Sequence, residues 1–165
     1  MSYNIRTPNE NRCSTRARRR NNGNKKTILI DASPEVVFRA IIDPNEFTNW
    51  FPDQVILEPK VRGKVKFSFD KTDSEYRQMD YFPEGTVVEF MPNKRISYTY
   101  REPNIAKFPN TVVTWELEKI DNDTTRLKLS HTGFKAGEIA KKHDEGWSQF
   151  LNELTKYCQA VRYSH

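Results

Sequence analysis

Hydrophobic and polar positions alternate through most of the middle of this 165-residue chain, and a helical period replaces the alternation at both ends. From Lys64 to Phe69, Val65, Phe67 and Phe69 share one face and Lys64, Lys66 and Ser68 the other, the period of a half-buried strand. Gly85 to Met91, Arg95 to Tyr100, Thr111 to Ile120 and Thr125 to His131 predict further strands, and Val55 to Val61 predicts one more. The turns between them fall at Gly63, at Pro92-Asn93-Lys94 and at Asp121-Asn122-Asp123. Asp70 to Asp80 and Glu102 to Asn110 are polar or proline-bearing and read as loops, the first long enough to form a functional lip.

Before these strands, Ile28 to Ile30 predict a short strand beginning at Thr27. A helix follows with Ser33 as N-cap and Pro34 at its first position. Asp43 caps a second short helix that closes at Trp50-Phe51-Pro52. At the far end Trp147, Phe150, Leu151, Leu154, Tyr157, Cys158 and Val161 recur at i, i+3, i+4, i+7 spacing. They form the apolar face of a long helix opening near Gly146-Trp147. One strand, two helices, about six strands and one long helix is an α+β layout, with short turns that favour an antiparallel meander.

Charge divides the chain in two. Residues 1–26 hold eight basic side chains against the single acid Glu10, whereas the net charge of the whole is only +5, so the remainder is slightly acidic. Such an arm, rich in Asn and poor in aliphatic residues, is expected to be disordered. A plain solvated tail, a nucleic-acid tether led by Arg16 to Arg20, and an organelle-targeting peptide are the readings it allows. Residues 27–165 then form one domain of ordinary size. Cys13 and Cys158 make no disulfide framework, which favours a reducing, cytoplasmic setting. No apolar run reaches the ~20 residues of a membrane span. His143 and Asp144 show no metal-ligand spacing, and neither a phosphate-binding glycine loop nor a nucleophile motif is present. No cofactor or metal is expected.

Several segments together carry a family resemblance. They are Ile30-Asp31-Ala32-Ser33-Pro34-Glu35-Val36-Val37-Phe38, Asn49-Trp50-Phe51, Gly85-Thr86-Val87-Val88-Glu89, Val113-Thr114-Trp115-Glu116-Leu117, Thr125-Arg126-Leu127, His131-Thr132-Gly133-Phe134 and Gly146-Trp147. In this order and spacing, over residues 27–161, they resemble the activator-of-heat-shock-protein-90-ATPase homologue family of the START-like (SRPBCC, Bet v 1-like) superfamily. The resemblance implies a helix-grip fold: a curved antiparallel sheet of about six to seven strands around the C-terminal helix, enclosing an apolar cavity. It also implies a function among those of the group. These are binding of hydrophobic small molecules or lipids, cyclase-type catalysis, and co-chaperone contact with the 90-kDa heat-shock chaperone.

Strand parity selects the side chains facing such a cavity. Leu127, Leu129 and His131 share a face, as do Val113, Trp115 and Leu117, and Tyr98 joins Tyr100. The expected ligand-binding set is Trp50, Phe51, Phe67, Phe69, Tyr98, Tyr100, Trp115, His131, Trp147, Phe150 and Leu151, a mostly apolar lining with a few polar tips. Core packing is the competing role for each. Trp50 and Phe51 are either a lid or packing, and His131 is a structural histidine, a ligand contact or an acid/base. Glu89 lies either on the inner face, with Val87 and Met91, or on an exposed one, with Thr86, Val88 and Phe90 as the alternative face. Gly146 is expected to let the helix approach the sheet closely. The first expectation for function is binding of a hydrophobic or aromatic small molecule or lipid by a monomer or weak dimer, with a stress response as one setting. A chaperone partner is the alternative, and a cyclase or hydrolase using His131 a further one.

Overall fold

The computed structural model describes residues 23–70, 72, 79–135 and 137–163. In chain order these form β1 (Gly23–Ile30), α1 (Pro34–Ile42), α2 (Pro44–Phe47), β2 (Gln54–Leu57), β3 (Lys64–Ser68), β4 (Glu84–Met91), β5 (Arg95–Tyr100), β6 (Thr111–Asp121), β7 (Thr124–Thr132) and α3 (Glu138–Val161). The strands make one sheet in the order β1-β7-β6-β5-β4-β3-β2, antiparallel at every pairing. The sheet curls around α3, and α1 and α2 cross from one edge strand to the other. This is the expected α+β helix-grip architecture.

Local chemistry sets the helix starts. The Ser33 side chain accepts from the Val36 amide at 3.3 Å and Pro34 occupies the first turn, as the sequence predicts. Asp43 Oδ1 accepts from the Asn45 amide at 2.9 Å and so caps α2. The long helix departs from expectation. It begins at Glu138, eight residues before Gly146. Its N-cap is Gly137, which offers no side-chain acceptor, so the usual start signal is missing. Gly146 does not serve close packing either: a Cβ built there meets nothing within 4 Å.

Three strand expectations also change. β1 begins at Gly23, not Thr27, because its whole length pairs with the long β7, from Gly23 opposite Thr132 to Ile30 opposite Thr125. Lys26 in this extension pairs with Asp144 of α3 at 3.0 Å, and the Asn24 side-chain amide donates to the Ala140 carbonyl at 3.1 Å. β2 stops at Leu57 rather than Val61, since Pro59 has no amide to donate and Lys60 to Gly63 turn tightly. Most of the basic arm, including Arg16 to Arg20 and Cys13, lies outside the described residues. So does most of the polar segment between Asp70 and Asp80.

The core lies between sheet and helices. Ile96, Tyr98, Val113, Trp115, Leu127, Leu129 and His131 of the central strands are buried against Trp147, Leu151, Leu154 and Cys158 of α3. Val65, Phe67 and Phe69 face inward at the β3 end. Burial pushes the Cys158 thiol up to about 12, in keeping with its predicted role as a small buried hydrophobe.

Candidate functional site

The eleven side chains expected to face a cavity do converge. All are buried except Phe150, which is half-buried. All but Leu151 carry rings, and these meet one another. Phe51 stacks on Trp147 at 5.2 Å and touches Phe150 edge-on at 4.4 Å. Trp147 meets Trp115 at 5.5 Å, and Trp115 meets Trp50 at 6.1 Å. Phe67 contacts Phe51, Phe69, Tyr98 and Tyr100. Trp50 is packed, its indole N–H donating to the Ala40 carbonyl at 2.9 Å. Edge-to-face and offset geometries of this kind add roughly 0.5–1.5 kcal/mol per pair beyond area burial.

Polar tips inside this layer are paired almost completely. The Trp115 indole donates to the Tyr98 hydroxyl at 3.0 Å. Trp147 Nε1 donates to His131 Nδ1 at 2.9 Å, and His131 Nε2 lies 2.9 Å from the Thr111 hydroxyl. That hydroxyl has one proton, which it gives to the Tyr100 carbonyl at 2.6 Å. His131 Nε2 is therefore the donor to Thr111, and the ring is the neutral Nε2–H tautomer. Burial, then the neighbouring His143, holds its pKa well below the usual histidine value. Both nitrogens are engaged, leaving neither for proton transfer to a substrate.

Half-buried rings border the interior around Tyr100 and Phe69. Half-buried Phe108 lies 6.2 Å from Tyr100 and 5.7 Å from His143. Half-buried Phe150 lies 6.1 Å from Phe69, and half-buried Tyr81 pairs with Phe69 through the backbone. Beside Tyr100 sits Glu102, 3% exposed, with its Oε1 accepting from the Tyr100 hydroxyl at 3.1 Å. Its Oε2 has no hydrogen-bond partner. Burial pushes the carboxyl up to about 7 against the opposing pull of the Tyr100 hydrogen bond. The Tyr100 hydroxyl is itself held well above its usual value, first by burial and then by Glu102. Glu102 is absent from the predicted set because it stands at the first position of the expected loop. Its signal is the same parity that places Tyr98 and Tyr100, carried two residues further.

Glu89 turns outward and pairs with Arg95 at 2.9 Å. A bulge between Val87 and Glu89 shifts the register, so Val87 is buried and Phe90 packs on Phe38 at 5.8 Å. Neither uniform parity expected for this strand therefore holds. A groove of 480 Å³ is lined by Glu84, Gly85, Thr99, Tyr100, Arg101, Asn110, Thr111 and Val112. Thr99, Arg101 and Val112 are the alternate positions to Tyr98, Tyr100 and Val113, so these three line it from the face turned from α3. Among the described residues no His, Cys, Asp and Glu cluster is arranged to hold a metal ion. No described helix is long and apolar enough to cross a membrane.

The family model described as Activator of Hsp90 ATPase homolog 1-like protein matches residues 31–159. The chain belongs to this family. Its fold recurs in solved structures of low identity. A Chromobacterium violaceum protein is 23% identical with a TM-score of 0.71, over 82% of this chain and 95% of the other. The Aha1 dimer from Colwellia psychrerythraea is 20% identical with a TM-score of 0.67, over 81% and 92%. An HSP90 activator from Plasmodium falciparum is 20% identical with a TM-score of 0.64, over 80% and 92%. At these identities the likeness of this family member to each is one of fold. No curated protein matches the chain.

Proposed function

We propose that this family member binds an apolar or aromatic small molecule between sheet and α3, where half-buried rings border the interior. The observation that carries this reading is the ring of half-buried Tyr81, Phe108 and Phe150 leading onto the buried Phe67, Phe69 and Tyr100. Apolar surface left partly wet beside a buried aromatic layer gains roughly 25 cal/mol per Å² when a guest covers it. The expected contacts are Phe69, Tyr100 and Phe150, with Phe67 behind them. Trp50, Phe51, Tyr98, Trp115, His131, Trp147 and Leu151 form the wall that positions these side chains. Heteronuclear NMR titration with naphthalene tests the reading. Shifts should concentrate at Phe108, Tyr81, Phe150 and the Trp147 indole N–H, and a titration to saturation that moves none of them overturns it.

A second reading is co-chaperone contact with the 90-kDa heat-shock chaperone. Its support is the family's description and the Plasmodium falciparum activator of the same fold. A rise in the chaperone's ATPase turnover on adding this protein is the expected outcome, and unchanged turnover removes the reading.

A further inference from the structure

Glu102 holds a buried oxygen that the packing of the interior does not account for. Its carboxyl is almost wholly buried, yet only Oε1 has a partner. Among the described residues no Lys or Arg forms an ion pair with it. Leaving a buried acceptor bare is costly, and a carboxylate more so. Elsewhere in this interior the polar atoms are joined in pairs: Trp115 to Tyr98, Trp147 to His131, and Thr111 to Tyr100. The carboxyl that carries the bare oxygen sits at the Tyr100 hydroxyl, and burial, then Glu102, raises the Tyr81 phenol. Arg101, the adjacent cation, is exposed and belongs to the other face.

We propose that Glu102 Oε2 is the polar anchor of the binding site and selects an apolar molecule carrying a single hydrogen-bond donor, an amine above all, while rejecting carboxylates. This deepens the small-molecule reading above and rests on it. The chemistry is one-sided. Tyr100 spends its hydroxyl proton on Oε1, and His131 spends its N–H on Thr111. Above pH 7, where the carboxyl has lost its proton, the pocket's polar end therefore presents an acceptor. A ligand O–H or N–H satisfies it, an ammonium adds charge, and a ligand carboxylate meets a second carboxylate with no cation between them.

Four probes of one shape test this at pH 8: naphthalene, naphthol, naphthylmethylamine and naphthoate, titrated against the full chain by fluorescence and NMR. The amine should bind the wild-type protein about 10- to 100-fold more tightly than naphthalene, naphthol should fall between, and naphthoate should bind most weakly. Glu102→Gln should lower amine affinity about 10-fold or more and leave naphthalene unchanged. Equal binding of amine and naphthalene, or preferential binding of naphthoate, overturns the anchor while the pocket survives. Failure of all four probes overturns the pocket itself and the anchor with it. The wild-type comparison decides the matter even if the variant folds poorly.

Discussion

Trp147 Nε1 donates to Nδ1 of His131 at 2.9 Å, joining the long helix to the central strand β7 inside the core. The chain of bonds continues through Nε2 to Thr111 and on to the Tyr100 carbonyl. One imidazole thus couples α3, β7, β6 and β5, each bond fixing the direction of the next. In a buried, low-dielectric setting such a chain rigidifies as well as stabilises.

Removing the indole donor should expose this coupling. Trp147→Phe leaves His131 Nδ1 buried without a donor and opens a small void, so unfolding free energy should fall by about 1–3 kcal/mol. Urea denaturation measures the loss. In the wild-type protein, long-range nitrogen–proton NMR correlations should show the Nε2–H tautomer. A protonated ring at neutral pH contradicts the assigned hydrogen bonds.

The buried ionisable groups give stability opposite pH dependences. His131 and His143 have pKa values held below the usual 6.5, chiefly by burial, so their contribution is lost as pH falls below 6.5. Glu102 is raised from 4.5 to about 7, so its proton favours the folded state most below 4.5, and that contribution is lost as pH rises through 7. Glu102→Gln removes the second effect while the histidines and Tyr81 remain in both proteins. Relative to wild type the variant should gain stability as pH rises from about 5 to 8, by on the order of 3 kcal/mol. Urea midpoints across that range measure it, and a constant gap counts against the raised carboxyl.

Parity along β3, β5, β6 and β7 makes most of the interior legible in the sequence, because one-sided burial imposes a strict period of two. Parity fails in β4, where the bulge after Val87 inserts an extra residue and sends Glu89 outward. It holds past Tyr100, where Arg101 still pairs with Glu84 and Glu102 faces in, although the composition from Glu102 onward reads as a loop. The extra turns of α3 have no cap to announce them. The Tyr100–Glu102 and Trp147–His131 bonds depend on side-chain directions that no periodicity encodes.

Glu89 offers a control for these assignments. Its side chain is 50% exposed and its ion pair with Arg95 is on the surface, where such pairs contribute little. Arg95 also keeps Glu116 as a partner. Glu89→Gln should change unfolding free energy by no more than about 0.5 kcal/mol. A loss of several kcal/mol in the same urea assay means that the carboxylate is buried and the bulge misplaced.

Two glycines should respond to the same substitution with opposite signs. Gly146 lies within α3, and a Cβ there meets open space. Alanine restricts the unfolded chain and favours the helix by roughly 0.5–1 kcal/mol. Gly146→Ala should therefore raise the melting temperature, by about 2–4 °C for each kcal/mol gained in a domain of this size. Gly85 lies in β4, where a Cβ would collide with the Thr99 carbonyl oxygen across the β4–β5 contact. Backbone stands in the way there, and relief requires β4 to separate from β5 next to Tyr100. Gly85→Ala should cost several kcal/mol, in the manner of other over-packed sites. It should also loosen the strand ends carrying Tyr100 and Glu102. Thermal melts of the two variants side by side test both claims, and equal shifts in one direction would contradict the placement of β4 against β5.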